Sequence, residues 1–151
     1  MASVASSELL TIGYEGCTVA NVVACLQAAG VTLLIDVRAV PRSRKPGFSK
    51  RQLAAGLDEA GIAYVHLQAL GTPKAGRDAV RAGHPDRMSV IFDEHMTSDR
   101  AQAALAEATA LARGARTCLL CFERDPACCH RSIVARMVRR KTGQTIINLE
   151  A

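Results

Sequence analysis

Five short apolar runs, separated by segments of helical pattern, constrain the fold more than any other feature of this sequence. The runs are LLTIG (9–13), LLIDV (33–37), AYVHL (63–67), TCLLCF (117–122) and TIINL (145–149). Their apolar character is nearly continuous rather than alternating, which is typical of strands that are covered on both faces of a parallel sheet. We therefore predict five buried strands.

Helical patterns fill the intervals between these runs. Thr18 is placed to cap a helix over 18–29, and Ser49 with Gln52 three residues later forms a capping-box pattern that predicts a helix over 49–61. Further helices are predicted over 88–96, from 97 or 98 to about 113, and over 129–141. Strands that alternate with helices predict an α/β fold: a mainly parallel five-stranded sheet flanked by helices, in a Rossmann-like or flavodoxin-like three-layer sandwich.

The chain of 151 residues is long enough for one domain with one core. We predict a single domain over 9–151, preceded by a disordered tail over 1–8. Residues 68–87 are rich in glycine and polar side chains, and the segment is longer than an ordinary connection between elements. We predict a functional or mobile loop there.

Composition excludes several classes of protein. Apolar residues make up 49% of the chain, which argues against disorder. No run approaches the roughly 20 apolar residues that a membrane crossing needs, and the N-terminus lacks the basic and apolar regions of a secretion signal. We expect a cytoplasmic protein with no membrane partner. A disulfide framework needs an oxidising compartment, so Cys17 and Cys25 are expected to be buried free thiols.

Positive charge is concentrated in two segments of the chain, whose formal net charge is +5. Residues 38–51 carry six lysines and arginines, and residues 131–141 carry five. Such clusters attract phosphate groups. The second cluster lies on a predicted helix and is compatible with a solvated surface, whereas the first follows a predicted strand and is the better candidate for a binding segment.

Polar side chains follow the predicted strands at their carboxyl ends. In chain order these are Glu15, then Asp36 and Arg38, then His66, then Cys121 and Glu123, and finally Asn148. Ligands bind beyond the carboxyl ends of the strands in open parallel sheets. We therefore expect segments around 15, 38, 66 and 123–131 to form a shared pocket.

The stretch CFERDPACCHRS (121–132) is dense in reactive side chains and permits three interpretations. A zinc site is suggested by the C-x2-C spacing of Cys118 and Cys121. However, Cys118 lies inside a predicted strand, where an offset of three residues points the two thiols to opposite faces, and a second pair at this spacing is missing. A zinc knuckle is therefore disfavoured.

A reactive thiol is the second interpretation. Cys129 should lie near a helix N-terminus beside Arg131 and His130, which favours the thiolate, and Cys121 has Glu123 nearby. The third is an anion site formed by the helix N-terminus with Arg131 and Ser132, although the H-C-x5-R spacing of cysteine phosphatases is absent. An alternative compatible with anion binding is that Arg131 pairs with an acidic residue and ties the loop to the helix.

Other candidates are weighed in the same way. Asp36 and Arg38 are expected to have diverging side chains. His66 is more typical of a satisfied, half-buried histidine than of a base, and Tyr14 is expected to pack. Glu15, between two glycines, is well placed for acid–base chemistry.

Four stretches together resemble a bacterial and archaeal family, the domain-of-unknown-function family 488. They are TIGYEG (11–16), LLIDVRAVPRSRKPGFSK (33–50), AGIAYVHLQALGTPK (60–74) and CLLCFERDPACCHRS (118–132). The second fits a D-V-R-x-x-P-x-S-R pattern and the last fits C-x-E-x-x-P-x-x-C-H-R. The resemblance covers about 9–149 and implies a compact α/β domain, but no established activity. Cys118 and Cys128 fall outside the pattern.

The leading hypothesis is an enzyme or binding domain that acts on a phosphate-bearing ligand, a nucleotide or nucleic acid. The candidate catalytic residues are Cys121, Glu123, Cys129, His130 and Glu15, and the candidate ligand-binding residues are Asp36, Arg38, Arg42, Arg44, His66, Arg131 and Ser132. One alternative is a non-catalytic nucleic-acid-binding module, although aromatic residues make up only 3% of the chain. The other is a metal-binding protein that uses Cys121, Cys129 and His130.

Overall fold

A computed structural model of the protein describes residues 6–151. Of the tail predicted over 1–8, residues 1–5 lie outside the described residues. The strands are β1 Glu8–Gly13, β2 Leu33–Asp36, β3 Ala63–His66, β4 Thr117–Cys121 and β5 Thr145–Leu149. The helices are α1 Val19–Ala28, α2 Lys50–Glu59, α3 Lys74–Arg81, α4 Pro85–His95, α5 Asp99–Gly114 and α6 His130–Thr142. Within this part of the chain, no helix has the length and apolarity that a membrane crossing requires.

The five strands form one sheet in the order β3-β2-β4-β1-β5, and every neighbouring pair is parallel. This confirms the predicted single α/β domain. The register aligns the carboxyl ends of the strands, because Gly13 pairs with Cys121 and Asp36 pairs with both His66 and Leu120. The loops that follow β1, β2 and β4 therefore leave the sheet side by side.

The sheet is covered on both faces, which explains the continuous apolar runs. Successive strand residues point to opposite faces, so Leu34 packs in the core under α1 and α2, whereas Ile35 packs in the core under α4, α5 and α6. Cys118 belongs to the first core and Cys121 to the second. The prediction that these two thiols point to opposite faces is confirmed, and they do not form a zinc knuckle.

Two of the predicted helix caps are confirmed, and the third forms a different contact. The hydroxyl of Thr18 accepts from the Asn21 backbone at 3.1 Å at the start of α1, and Ser98 caps α5 in the same way. Ser49 precedes α2, but its hydroxyl exchanges hydrogen bonds with the backbone of Ser43 instead of capping the helix. The predicted capping box is therefore wrong, and Ser49 instead fastens the basic segment to the start of α2.

The predicted loop over 68–87 is also wrong, because most of this segment is helical. It contains a short 3-10 turn, α3 and the beginning of α4. Gly76 indicates the physical reason. It is buried where α3 meets α4, and a Cβ there would lie 2.4 Å from the Thr72 methyl carbon. A glycine that suggests a loop in the sequence instead permits α3 to pack closely against the Thr72 side chain.

Candidate functional site

A cleft of about 780 Å³ lies beyond the carboxyl ends of β1, β2 and β4. Among the predicted site residues, those that line it are Glu15, Arg38, Arg42, Arg44, Cys121, Glu123 and His130. Asp36, His66, Cys129 and Arg131 do not line it, and Ser132 lines a separate pocket. The lining of the cleft comes from the loops that follow three strands and from one face of α3. Residues that are far apart in the sequence therefore face the same cleft.

Asp36 and Arg38 form the most buried ion pair of the described structure, with side chains 0% and 6% exposed. Arg38 donates from Nε and Nη2 to the two carboxylate oxygens of Asp36, at 2.9 and 2.7 Å. The expectation that these side chains diverge is wrong, because residues two apart in an extended segment point to the same side. Burial alone would lower the pKa of Arg38. The hydrogen bonds and negative charge of Asp36 raise that pKa by more than burial lowers it, so the guanidinium stays charged.

Three aromatic side chains hold this ion pair in place. The Tyr64 hydroxyl donates to Asp36 Oδ2 at 2.6 Å, and burial with this hydrogen bond raises the pKa of Tyr64. The Tyr14 hydroxyl accepts from Arg38 Nη1 at 3.1 Å, and its ring stacks on Phe48 with centroids 4.2 Å apart. His66 Nε2 donates to the Arg38 carbonyl at 2.8 Å, since a carbonyl can only accept. His66 is therefore a satisfied histidine, and Tyr14 both packs and positions Arg38.

Arg42 and Arg44 follow Arg38 in the chain and line the same cleft. We call the side of the cleft formed by these three arginines the positive wall. The side chains of Arg42 and Arg44 are exposed, and neither forms an ion pair within residues 6–151. The segment that carries them is anchored at both ends. Lys45 Nζ donates to the Cys17 carbonyl at 2.9 Å, and Ser49 holds the backbone of Ser43. Unpaired guanidinium groups on a fastened segment are available for an external anion.

Arg77 and Arg81 on α3 also line the cleft, and the sequence interpretation missed them. They are four residues apart and therefore lie on one face of the helix. Arg77 donates to the Thr72 carbonyl at 2.8 Å, which orients its side chain. One signal for α3 is present in the sequence, because proline is common at helix starts and Pro73 directly precedes Lys74, although Gly76 obscures the helical pattern.

Cys121, Cys129 and His130 lie together and all three are buried; Cys121 and His130 line the cleft, and Cys129 lies behind them. Their ligand atoms lie within 4.8 Å of one another. The sulfurs of Cys121 and Cys129 are in disulfide contact at 2.06 Å, with Cα atoms 7.4 Å apart. No disulfide was expected from the sequence; the turn at 126–128 returns the chain over the end of β4 and brings the two cysteines together.

His130 is fixed in one tautomer. Its Nε2 lies 2.7 Å from the Val37 carbonyl, which only accepts, so the proton is on Nε2 and Nδ1 is free. Nδ1 lies 3.9 Å from Cys129 Sγ. Burial lowers the pKa of His130 to about 4, so the ring is neutral near pH 7.

Arg131 is fully buried and turns away from the cleft. It donates to the carbonyl oxygens of Glu123 and Arg124 and lies 3.2 Å from Cys121 Sγ. It therefore ties the loop to α6 as one interpretation held, but through backbone carbonyls rather than a carboxylate. Ser132 is similarly engaged, donating to the Pro126 carbonyl at 2.5 Å.

Gly13 leaves the space that this turn occupies. A Cβ on Gly13 would lie 1.8 Å from the Glu123 carbonyl oxygen and 2.9 Å from Arg131 Nη1. Only glycine allows the end of β1 to approach the turn so closely. This role was not anticipated for Gly13 from the sequence.

Two carboxylates face the positive wall. Glu15 is exposed and its Oε1 accepts from the Arg124 backbone at 3.1 Å. Glu123 is half-buried, its Oε2 lies 3.5 Å from Cys121 Sγ, and burial raises its pKa. Burial therefore favours the protonated, neutral form of the Glu123 carboxyl.

The fold and this cleft define a class of protein: a single α/β domain with an arginine-lined cleft at the carboxyl edge of a parallel sheet. Residues 18–138 match the family described as Domain of unknown function DUF488, and the chain belongs to this family. This confirms the resemblance found in the sequence motifs. No curated protein and no solved structure matches the chain.

Proposed function

We propose that the cleft binds a phosphate-bearing ligand, a nucleotide or a segment of nucleic acid. The observation that carries this proposal is the charge of the cleft, whose lining includes five arginines and two glutamates. Guanidinium groups bind phosphate oxygens through paired, charge-assisted hydrogen bonds. Arg42 and Arg44 are free to make such bonds, whereas the charge of Arg38 at the back of the cleft is already offset by Asp36.

The size and rim of the cleft favour a ligand larger than free phosphate. Its volume of about 780 Å³ falls in the range of roughly 300–1,000 Å³ that is typical of small-molecule sites. Phe122 lies on the rim with 43% of its surface exposed, and Tyr14 packs edge-on beside it with ring centroids 5.4 Å apart. An exposed aromatic ring beside cationic side chains suits a base joined to phosphates.

The floor of the cleft supplies the groups that would act on a bound ligand. In this proposal Cys121 and Glu123 face the ligand, Cys129 and His130 support Cys121 from beneath, and Glu15 stands at the mouth. Arg131 at 3.2 Å favours the thiolate of a reduced Cys121. If the reduced Cys121 reacts no faster with iodoacetamide near pH 7 than an ordinary free thiol, nucleophilic chemistry at this cysteine is excluded.

Calorimetric titration tests ligand binding. The probes are inorganic phosphate, pyrophosphate, adenosine and ADP. Arg42→Ala and Arg44→Ala are each expected to weaken the binding of phosphate-containing probes roughly 10- to 100-fold, because a hydrogen bond to a charged group contributes about 1.5–3 kcal/mol. The matched control is Arg140→Ala on the exposed surface of α6, which should bind as the wild type does. Equal losses in the control, or no binding by the wild type, would contradict the proposal.

A nucleic-acid-binding module without catalysis is the second candidate, favoured by the unpaired arginines of the segment 38–51. Binding of a labelled DNA duplex or RNA should then weaken steeply with salt, because phosphate contacts release counterions. Binding of ADP with no binding of either polymer at low salt would exclude this candidate and leave the nucleotide site.

A further inference from the structure

The cluster of Cys121, Cys129 and His130 has the composition of a metal site. Two thiolates and one imidazole nitrogen are the ligands that zinc prefers, and three protein ligands are usual where a fourth position stays open. The three ligand atoms lie within 4.8 Å of one another, and the residues come from the end of β4 and the start of α6. Both elements are packed into the core, so the cluster sits on rigid structure.

The hydrogen bond of His130 prepares its ring for coordination. Because Nε2 donates to the Val37 carbonyl at 2.7 Å, Nδ1 carries no proton and its lone pair is available. Nδ1 lies on the side of the ring that is nearer to the Cys129 sulfur. A ligating histidine commonly donates its other ring N–H to a backbone carbonyl, which fixes both tautomer and orientation.

The buried charge of Arg131 calls for an anion at the cluster. Arg131 is 0% exposed, and within residues 6–151 it forms no ion pair with a carboxylate. A buried charge is strongly unfavourable unless an opposite charge compensates it. Cys121 Sγ, 3.2 Å from Nη1, is in hydrogen-bonding contact with the guanidinium and can become negative. A thiolate supplies the counter-charge, whereas a neutral thiol or a disulfide does not.

The backbone spacing of the two cysteines agrees with an ion between them. Their Cα atoms are 7.4 Å apart, beyond the roughly 4.4–6.8 Å that disulfides usually span. Two thiolates on one zinc ion, with Zn–S bonds of about 2.3 Å, place their sulfurs about 3.8 Å apart along the edge of a tetrahedron. The wider Cα separation accommodates that edge once the sulfurs are reduced and move apart.

We propose that the reduced protein binds one zinc ion through Cys121 and Cys129 thiolates and His130 Nδ1, with its fourth position open to the cleft. Cys121 and His130 both line the cleft, and Glu123 Oε2 lies 3.5 Å from Cys121 Sγ, so water, Glu123 or a ligand oxygen can complete the site. The metal site stands on its own geometry. Its coordination of a phosphate oxygen rests on the proposed function.

Cobalt substitution tests the site directly. Protein purified with a reductant and without chelator is assayed for zinc, and chelator-treated, reduced protein is titrated with Co²⁺. One ion per chain, with the intense visible absorption of tetrahedral cobalt and thiolate-to-cobalt charge transfer, is expected. Cys121→Ser, Cys129→Ser and His130→Ala should weaken binding by more than the roughly 10- to 100-fold that loss of an outer-shell partner costs.

The matched control is Cys128→Ser. Cys128 is next to Cys129 in sequence, but its thiol lies 3.7 Å from Asp125 Oδ2, outside the cluster. This variant should keep the cobalt spectrum. If a variant of one of the three proposed metal ligands does not fold, the rate of cysteine alkylation in the reduced wild type tests the site instead. Added zinc should slow the alkylation of Cys121 and Cys129 and should not change the alkylation of Cys128.

Outcomes separate this site from the proposed function. A reduced wild type that binds no cobalt, or a spectrum unchanged in Cys129→Ser, overturns the metal site even if ADP binds to the cleft. Stoichiometric cobalt with no ADP binding, by contrast, supports the metal site and overturns the proposed ligand. A cobalt spectrum that changes when pyrophosphate is added supports coordination of the phosphate oxygen, and an unchanged spectrum with pyrophosphate bound refutes it.

Discussion

The buried pair of Asp36 and Arg38 makes the sharpest prediction about stability, through Asp36→Asn. The Asp36 carboxylate accepts four hydrogen bonds: three from Arg38, at 2.7–3.0 Å, and one from the Tyr64 hydroxyl at 2.6 Å. Asparagine keeps the shape and the Oδ1 acceptor, but it places an NH2 group against Nη2 of Arg38. The guanidinium then remains buried without a counter-charge.

The expected loss is about 3–5 kcal/mol, the usual cost of removing one partner of a buried ion pair. For a domain of this size each kcal/mol lowers Tm by roughly 2–4 °C, so Tm should fall by about 6–20 °C. The matched control is Glu8→Gln, because Glu8 pairs with Arg116 at 2.8 Å but both side chains are about a third exposed. That variant should lose at most about 1 kcal/mol.

Urea unfolding followed by far-ultraviolet circular dichroism measures both variants, with the slope of the transition used to check that the folded states are comparable. If Asp36→Asn does not fold, Tyr64→Phe replaces it. This variant removes a single hydrogen bond to the carboxylate and should cost about 1.5–3 kcal/mol. Losses in Asp36→Asn no larger than in Glu8→Gln would refute the role assigned to the pair.

Two further predictions concern glycine packing and tyrosine ionisation. Gly13→Ala should destabilise the fold by about 1–3 kcal/mol in urea unfolding, because its Cβ would lie 1.8 Å from the Glu123 carbonyl oxygen. The control is Gly56→Ala on α2, which has open space around its Cβ and should stabilise the fold by about 0.5–1 kcal/mol. Equal effects of the two substitutions on stability would contradict the close packing at Gly13. Burial and the hydrogen bond to Asp36 raise the pKa of Tyr64. The folded state therefore keeps the Tyr64 proton at a pH above about 10, where the unfolded state releases it. Because the folded state binds the extra proton, the free energy of unfolding should fall as the pH rises beyond about 10. Ultraviolet titration at pH 11, compared between the wild type and Tyr64→Phe, should show no ionisation of Tyr64 in the native protein, and a contribution from Tyr64 at this pH would disprove the prediction.

Local pattern in the sequence was sufficient for the five strands, for every helix except α3, and for the end of the sheet where the site lies. Continuous apolar runs predict strands covered on both faces, and helix caps such as Thr18 and Ser98 depend on neighbours within a few residues. Because the carboxyl ends of parallel strands share one edge, the positions of Glu15, Arg38 and Cys121 in the chain already indicate a common region. These inferences need only short-range geometry and the periodicity of strands and helices.

Tertiary structure decided which of the polar side chains face the cleft. Arg38 and Arg131 look alike in sequence, yet one lines the cleft beside Asp36 and the other turns inward to backbone carbonyls and Cys121. Arg77 lines the cleft, oriented by its hydrogen bond to the Thr72 carbonyl at 2.8 Å. The direction of a long side chain depends on the partners that other segments bring within hydrogen-bonding distance. Those partners are set by packing between segments far apart in the chain, which local sequence does not encode.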